Sequence, residues 1–301
     1  MSKAIVVGGL GFIGHHLVQE LASVGIDSII IDSMRPHTPK ETYAKRISKV
    51  KGQKILETEL ALLDGIPYDI DYVFHLANVP NQKLVSSNTS NAIKDVENLW
   101  KLLQMCHFAD AKKFIYVSSS MVYGDFTENP QPENGDLQPK SAYGELKRIS
   151  EDNVRAYCWG NDMEWAVVRP SAVYGDHDNL DRVVSKFIHS AMRGETLRVE
   201  GDSMLDFTYV KDLAKGMICV AEHGYNDVYN VTHGESRSLL ELAEIVTSIV
   251  GSGKIVKTER DASYPVRGSL DISKVKELGY KPRYNLEQGI IKYYDSIQRS
   301  A

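Results

Sequence analysis

The feature that most constrains the fold is the stretch AIVVGGLGFIGHHLVQ, which runs from Ala4 to Gln19. An apolar run ends in glycines and leads directly into a segment with helical spacing, so the stretch predicts a strand, a tight turn and a helix. In that arrangement backbone N–H groups and the helix N-terminus face an anion, and glycine is needed where a side chain would collide with a pyrophosphate. The sequence therefore predicts a dinucleotide-binding loop.

Two glycine patterns overlap in this loop, and their spacing alone does not separate them. Gly9, Gly11 and Gly14 fit G-x-G-x-x-G, whereas Gly8, Gly11 and Gly14 fit G-x-x-G-x-x-G. Both patterns are compatible with a strand, a phosphate-binding turn and a helix. The residues by themselves leave both patterns open.

Asp32 ends the second strand-like run, DSIIIDS, and its position bears on the choice of dinucleotide. A carboxylate there accepts hydrogen bonds from both adenosine ribose hydroxyls and repels a 2′-phosphate, so the sequence favours NAD over NADP. Arg35 nearby keeps NADP open as an alternative. The adjacent His15 and His16 are not predicted to bind a metal ion, because neighbouring helix residues point about 100° apart.

Apolar runs alternate with helix-like stretches through the first two-thirds of the chain, and the later runs are DYVFHLAN, KKFIYVSSS and EWAVVRPSAVYG. Continuous apolar runs suit parallel strands covered on both faces, so the pattern predicts an α/β fold with a Rossmann-like doubly wound parallel sheet. We expect residues 1–177 to form this domain, with a return of the chain near 206–233. Residues 178–301 are predicted to form mainly a smaller C-terminal α/β substrate-binding domain.

Two local signals refine this division. In SLLELAEIVTSIVG, Ser238 and Glu241 match a helix capping box and Gly251 is predicted to end the helix. Segment 125–142 is rich in Pro, Asn and Gly and is predicted to be a surface loop that borders the substrate site.

The composition of the 301-residue chain is that of an ordinary globular protein, with 43% apolar and 25% charged residues. A net charge of -5 argues against a nucleic acid or an anionic membrane as partner. No apolar run approaches the ~20 residues of a membrane span, and the N-terminus lacks a signal-peptide pattern. Cys106, Cys158 and Cys219 form no C-x-x-C motif. We therefore expect a cytoplasmic protein.

A group of Ser, Tyr and Lys residues predicts proton-transfer chemistry. YVSSSMVYG places Ser118, Ser119 and Ser120 at the end of a strand, and SAYGELKR places Tyr143 and Lys147 four residues apart. On a helix the last two side chains lie on one face. Because a nearby ammonium favours the tyrosinate, we expect the pKa of Tyr143 to be lowered.

Eight segments then carry a resemblance to one family: GGLGFIG, DYVFHLAN, SSSMVYG, YGELK, VVRPSAVYG, LDFTYVKDLA, YNVTHGES and VRGSLDISKVKELGYKPRYNLEQGI. In type and order they resemble the extended short-chain dehydrogenase/reductases of the NAD-dependent sugar epimerase/dehydratase type, as in UDP-glucose 4-epimerases. The resemblance covers essentially the whole chain and implies that G-x-x-G-x-x-G is the cofactor pattern. It also implies NAD as cofactor, Ser119 as the catalytic hydroxyl, Tyr143 as the acid/base and Lys147 as a ligand of the nicotinamide ribose.

The resemblance further implies two sets of binding residues. The cofactor set consists of Gly8, Gly11, Phe12, Ile13, Gly14, Asp32, Glu57, Leu76, Ala77, Ser118, Tyr143, Lys147, Pro170 and Val173. The substrate set consists of Ser119, Ser120, Tyr143 and Arg267. Within it, Arg267 fits the family's late diphosphate-binding arginine, and a fork of donors suits that anion.

The reaction implied by the resemblance is narrowed by the residues that follow Ser119. Related 4,6-dehydratases carry an Asp-Glu pair there, and decarboxylating relatives also need a carboxylate, whereas this chain has Ser120 and Met121. The leading hypothesis is therefore 4-epimerisation of a nucleotide sugar, with a UDP-hexose favoured, through a transient 4-keto intermediate. The alternatives are an NAD(H)-dependent sugar dehydrogenase or 4-ketoreductase, and a non-catalytic dinucleotide-binding sensor.

Three departures from the family pattern keep the substrate open. Ala172, Glu200 and Leu205 stand where relatives often have an asparagine, an aromatic residue and an arginine near the substrate. Another nucleotide or a smaller substrate therefore remains an alternative.

The resemblance also bears on assembly, because relatives often dimerise by pairing two helices. The corresponding segments here are AIKDVENLWKLLQMC and ELKRISEDNVRAYC. Ile93, Val96, Trp100 and Leu103 recur at helical spacing, and we expect most of them to pack against the sheet. The family pattern predicts a homodimer.

Overall fold

The computed structural model describes residues 2–34, 38–77, 89–178 and 181–299, so Arg35 lies outside the described residues. Its strands are β1 (Lys3–Val7), β2 (Asp27–Asp32), β3 (Lys54–Glu57), β4 (Tyr72–His75), β5 (Lys113–Val117), β6 (Glu164–Arg169), β7 (Val173–Tyr174), β8 (Thr196–Glu200), β9 (Met204–Asp206), β10 (Thr208–Tyr209), β11 (Asp227–Asn230), β12 (Ser236–Ser238) and β13 (Lys254–Thr258). Its helices are α1 (Phe12–Ser23), α2 (Lys40–Lys49), α3 (Thr89–Phe108), α4 (Ala142–Gly160), α5 (Val183–Met192), α6 (Val210–His223), α7 (Leu239–Val250), α8 (Ser273–Glu277) and α9 (Leu286–Gln298).

Seven strands form the central sheet in the order β11-β6-β5-β4-β1-β2-β3. Every neighbouring pair in this sheet is parallel. The chain builds outward from β1 in one direction through β2 and β3, then crosses to β4 on the other side of β1. The order confirms the predicted Rossmann-like doubly wound sheet and places a crevice at the carboxyl ends of β1 and β4, where such sheets bind ligands.

The sheet is buried on both faces, as the continuous apolar runs predict. In β1, Ala4 and Val6 pack into one hydrophobic cluster with α1 and α6, whereas Ile5 and Val7 pack into a second cluster with α3 and α4. Since successive strand residues point to opposite faces, each face needs its own helical layer. The two layers fix β1 and therefore the turn that follows it.

The chain returns to the central sheet after β10. Helix α6 packs against α1, and β11 pairs with β6 at one edge of the sheet. A third hydrophobic cluster joins α5, α7 and α9 with the short strands of the C-terminal part. In α7, Ser238 and Glu241 form the predicted capping box, and Gly251 ends the helix with φ +80°.

Two local predictions were wrong. EWAVVRPSAVYG was predicted as one apolar run, but it divides into β6 and β7, because Pro170 cannot donate to a ladder and Ala172 takes φ +24°. On α3, Ile93 and Trp100 are exposed by 62% and 42%, although core packing was expected there. In the part of the chain that the structure describes, no helix has the length and apolar character that crossing a membrane requires.

Candidate active site

The glycine turn after β1 is shaped by close backbone approaches. Gly8 takes φ +81°, and a Cβ there would lie 2.8 Å from the amide nitrogen of Ala77. A Cβ on Gly14 would overlap the carbonyl oxygen of Gly8. Gly9 differs, because a Cβ there would meet the buried side chain of Ile30, 2.9 Å away. Gly8, Gly11 and Gly14 line the large cavity of this crevice, and Gly9 packs toward β2.

Asp32 lies at the carboxyl end of β2 and faces the same cavity. Its two carboxylate oxygens accept hydrogen bonds of 2.9 Å from the backbone amides of Leu10 and Met34. The carboxylate therefore helps to hold the glycine turn. Across the turn, the amides of Leu76 and Ala77 both donate to the carbonyl of Val7.

The start of α4 places Tyr143 beside the serine turn that follows β5. Ser141 is the N-cap of α4 and accepts a 3.0 Å hydrogen bond from the amide of Gly144. A Cβ on Gly144 would lie 2.5 Å from the carbonyl oxygen of Met121, so the helix packs directly on this turn. Ser119 begins the turn, and its side chain lies close enough to Tyr143 to lower the pKa of the phenol. The structure therefore brings the two predicted hydroxyl groups to the same part of the cavity.

Lys147 lies one helical turn after Tyr143 and is buried. Its Nζ donates a 2.6 Å hydrogen bond to the carbonyl oxygen of Val117 and lies 5.9 Å from the centroid of the Tyr143 ring. Burial lowers the pKa of Lys147 to about 7, while the carboxylates of Asp95 and Glu151 raise it. The Lys147 ammonium thus depends on buried negative charge to stay protonated.

The expected direction of the Tyr143 pKa shift was wrong. Burial raises the pKa of Tyr143, which outweighs the lowering by the Arg182 guanidinium and by the hydrogen bond with Ser119. The prediction used the spacing between Tyr143 and Lys147 but had no access to desolvation, which disfavours the charged phenolate.

A buried polar network lies beneath the serine turn. Ser118 donates a hydrogen bond to Glu151. Glu151 forms a 2.6 Å ion pair with Arg169, and the side-chain exposure is 5% for Glu151 and 3% for Arg169. Arg169 also donates to the hydroxyl of Tyr123, which in turn donates to Asn230. The network ties α4 to β6 and β11, and it occupies the hydroxyl of Ser118.

The cavity has a volume of about 570 Å³ and brings most of the predicted site residues together. The predicted residues that line it are Gly8, Gly11, Phe12, Ile13, Gly14, Asp32, Leu76, Ala77, Ser118, Ser119, Ser120, Tyr143, Lys147, Pro170, Val173 and Arg267. Glu57 is the exception: it ends β3 on the surface, and the next two residues, Thr58 and Glu59, line the cavity instead.

Arg267 enters the cavity from the C-terminal part of the chain. Its Nε is buried and has no hydrogen-bond partner among the described residues, and no ion pair to Arg267 is formed within that set. Burial lowers the pKa of Arg267 to about 10, so the guanidinium stays charged at neutral pH. The Arg267 side chain is half-buried, and a partly buried cation without a partner is costly, so an anionic ligand relieves that cost.

Five charged residues that line the cavity were not predicted, namely Arg46, Glu59, Lys94, Asp95 and Arg182. Arg46 donates hydrogen bonds to the carbonyls of Leu10 and His177, and Asp95 lines the cavity beside Lys147. Arg182 pairs with Asp178 at 3.2 Å and reaches the cavity next to Phe12. No short-range motif marks these positions, because tertiary packing alone brings them to the site.

His15 and His16 lie closer together than their positions on the helix suggested, with ring centroids 4.0 Å apart. A ring nitrogen of His15 hydrogen-bonds the backbone carbonyl of Gly11, and a ring nitrogen of His16 hydrogen-bonds that of Asp176. Across residues 2–34, 38–77, 89–178 and 181–299, no group of three metal-ligating side chains is found.

Asp212 and His75 have structural roles. Tyr209 is the N-cap residue of α6, and Asp212 lies in the first turn of that helix. One Asp212 oxygen accepts 2.9 Å hydrogen bonds from the amides of Arg283 and Tyr284. His75 is packed in β4 at 3% exposure.

A glycine turn at the switch point of a parallel sheet, with a Ser, a Tyr and a Lys in the same cavity, defines the extended short-chain dehydrogenase/reductase class. Residues 4–232 match the family described as "NAD dependent epimerase/dehydratase family". The chain belongs to this family.

Relatives and solved structures support the same assignment. The chain is 31% identical to UDP-glucuronic acid decarboxylase 1 of Arabidopsis thaliana, over 96% of this chain and 68% of that protein. It is 30% identical to a putative UDP-glucose 4-epimerase of Methanocaldococcus jannaschii, over 95% of both chains. The crystal structure of the UDP-glucuronic acid 4-epimerase of Bacillus cereus with UDP-glucuronic acid and NAD superimposes with a TM-score of 0.89, at 26% identity, over 99% of this chain and 100% of the other.

Proposed function

We propose that the protein is an NAD-dependent nucleotide-sugar 4-epimerase, with a UDP-hexose as the favoured substrate. One observation carries the proposal: the unpartnered guanidinium of Arg267 faces the cavity that also holds Tyr143, Ser119 and the glycine turn. A diphosphate linked to a sugar satisfies the guanidinium and at the same time brings an alcohol to the phenol.

The residues at the switch point fit NAD. The turn is packed so tightly that a Cβ at Gly8 or Gly14 would collide with neighbouring backbone, and the first turn of α1 follows it directly. The Asp32 carboxylate lies where it can accept hydrogen bonds from the ribose hydroxyls and repel a 2′-phosphate. When bound, NAD supplies a reversible hydride acceptor for the carbon of a secondary alcohol.

The chain's own residues supply the proton chemistry. Tyr143 takes the proton of the sugar hydroxyl and returns it after the sugar has turned, while Ser119 holds the same oxygen by a hydrogen bond. Lys147 places a positive charge 5.9 Å from the Tyr143 ring and favours the phenolate. Ser120 and Met121 offer no carboxylate after Ser119, which favours epimerisation over elimination or decarboxylation.

A sugar that carries a carboxylate is a second candidate, favoured by Arg182. This guanidinium acts on the pKa of Tyr143 and lines the cavity, so it lies near the reacting end of the site. The glucuronic acid named for two of the relatives is a sugar of this kind. UDP-glucuronate therefore belongs in the substrate panel beside neutral hexoses.

The test is a panel of UDP-glucose, UDP-N-acetylglucosamine and UDP-glucuronate with purified protein and no added cofactor. We expect conversion of at least one to its 4-epimer, and a loss of about 100-fold or more in rate with Tyr143→Phe. A product that forms only with stoichiometric NADH would favour the dehydrogenase or ketoreductase alternative. Physiological function that survives Tyr143→Phe would favour the non-catalytic sensor.

We further propose a homodimer that forms through α3 and α4. Ile93, Trp100 and Ile149 are exposed large apolar side chains on these helices. Light scattering at micromolar concentration should give the dimer mass, and Trp100→Glu should lower it. A monomer mass for the unaltered protein would contradict the proposal.

A cytoplasmic location completes the proposal. Cys106, Cys158 and Cys219 are all free thiols, which is typical of a reducing compartment. Cell fractionation tests this location, and recovery of the protein outside the cytoplasm would contradict it.

A further inference from the structure

The guanidinium of Arg267 lacks a partner, but the backbone on either side of it is held by two side chains from segment 125–131. Asp125 accepts a 2.7 Å hydrogen bond from the amide of Val266, directly before Arg267. Asn129 accepts hydrogen bonds from the amide and the hydroxyl of Ser269, at 2.9 and 2.7 Å. We call Asp125 and Asn129 the clamp.

The clamp is part of a longer contact between two segments. The amide of Phe126 donates to the carbonyl of Val266, and the amide of Gln131 donates to that of Ser269. Leu270 pairs with Gln131 and donates its amide to Asp206 from the far side. The segment that carries Arg267 is thus fixed at both ends.

Gly268 shows how closely the clamp fits. A Cβ at this position would lie 2.6 Å from the Asn129 side-chain oxygen, closer than real Cβ contacts. The residue next to Arg267 therefore has no room to move toward segment 125–131. Such rigidity matters because a receptor held in its binding geometry loses less freedom when the ligand arrives.

We propose that Asp125 and Asn129 are positioning residues that hold the Arg267 guanidinium in place for the diphosphate of a nucleotide substrate. The inference rests on the proposed function, since it takes a nucleoside diphosphate group as the anion. Segment 125–131 thus contributes to substrate affinity and takes no part in the proton transfer at Tyr143.

The experiment uses NAD-loaded protein and calorimetric titration with UDP, dTDP and GDP. The diphosphate that binds the unaltered protein most tightly becomes the probe for every variant. Arg267→Ala should weaken that probe by about 30-fold or more, because it removes the charged partner of a buried anion. Asp125→Ala and Asn129→Ala should each weaken it about 3- to 10-fold, as expected for the loss of a hydrogen bond.

Matched controls separate positioning from charge and from folding. Asp125→Asn keeps an acceptor for the Val266 amide and should stay within about 2-fold of the unaltered affinity. Glu128→Ala removes an exposed negative charge from the same loop and should have as little effect. In the clamp variants the NAD affinity and kcat should hold while KM for the sugar nucleotide rises.

A double-mutant cycle provides a second arm. Gly268→Ala should weaken the probe, and Asn129→Ala should remove the steric conflict, so the double variant should bind no worse than Asn129→Ala alone.

The outcomes distinguish the two levels of the proposal. If Arg267→Ala weakens the probe but both clamp variants bind it as the unaltered protein does, the positioning role is wrong and the diphosphate site stands. A fall in kcat or NAD affinity that parallels the loss of probe affinity would also overturn the positioning role. If Arg267→Ala changes nothing, or no diphosphate binds, the proposed function itself fails.

Discussion

The Nζ of Lys147 lies 5.9 Å from the ring centroid of Tyr143, and burial brings its pKa to about 7. The short distance between Lys147 and Tyr143 and the positive charge of Lys147 therefore have different structural causes. Helix α4 fixes the proximity through the four-residue spacing. The charge depends on carboxylates from other parts of the fold, chiefly Asp95 on α3.

Asp95→Asn should shift the basic limb of the kcat/KM profile to lower pH. The Asp95 carboxylate raises the pKa of Lys147, so its removal lowers that pKa, and the ammonium is then lost earlier as the pH rises. A pH–rate series on both proteins measures the shift. Glu97→Gln, on the exposed side of the same helix, should leave the profile unchanged. A limb that moves upward or stays fixed for Asp95→Asn would contradict the assignment.

His16 should make the protein less stable in acid. Burial lowers the pKa of His16 to about 4, against 6.5 for an exposed imidazole, so the unfolded chain binds the extra proton first. Above pH 6.5 the neutral His16 imidazole costs no stability. As the pH falls from 6.5 toward 4, the free energy of unfolding decreases, and this decrease is about 2 kcal/mol at pH 5.

His16→Gln isolates this effect, because glutamine keeps a donor for the Asp176 carbonyl without titrating. Urea unfolding at pH 8 and pH 5 should show a smaller acid loss for the variant. His223→Gln, at 59% side-chain exposure, should show the loss of the unaltered protein. Equal acid losses in all three proteins would rule out the role of His16.

Arg169→Met should lower the free energy of unfolding by about 3 kcal/mol or more. The change leaves the Glu151 carboxylate buried without its ion pair, which costs far more than the pair itself contributes. Urea unfolding checks the value. Arg193→Met breaks an exposed pair with Glu195 and should leave the free energy of unfolding nearly unchanged. Similar losses for the two variants would show that the Arg169 pair is not effectively buried.

Gly14→Ala should abolish NAD binding and destabilise the protein by about 2 kcal/mol. The new methyl group overlaps the Gly8 carbonyl oxygen, so the turn must open. Gly65→Ala is the control, because a Cβ there meets nothing within 4 Å. Titration with NAD and thermal unfolding test both effects. Unaltered NAD affinity in Gly14→Ala would mean that the turn is not the cofactor cradle.

The parts of the fold that depend on local chemistry were predictable from sequence. The capping box of α7 and the strand before the glycine turn follow from residue type and spacing, and both are confirmed. The break between β6 and β7 was missed, because the run stays apolar across Ala172. The division of the chain at residue 177 stays a prediction.

The candidate site was predictable where a motif marks it and unpredictable where only packing brings residues together. Tyr143 and Lys147 lie four residues apart on α4, so spacing was enough to place them together, whereas the choice of Ser119 came from the resemblance to the family. Asp95 and Arg182 reach the cavity from α3 and from just before α5, and no local pattern distinguishes them. The pKa of Tyr143 was predicted in the wrong direction because desolvation is a property of the assembled fold.

The measurement that tests the central claim most directly is the fate of deuterium at C4 of whichever nucleotide sugar the protein converts. NAD-loaded protein is incubated with the 4-deuterated sugar nucleotide, without added cofactor, and the product is analysed by NMR. The account predicts the 4-epimer with deuterium still on C4 and no net NADH. Deuterium lost to solvent, or an oxidised sugar that accumulates in proportion to NADH, would contradict it.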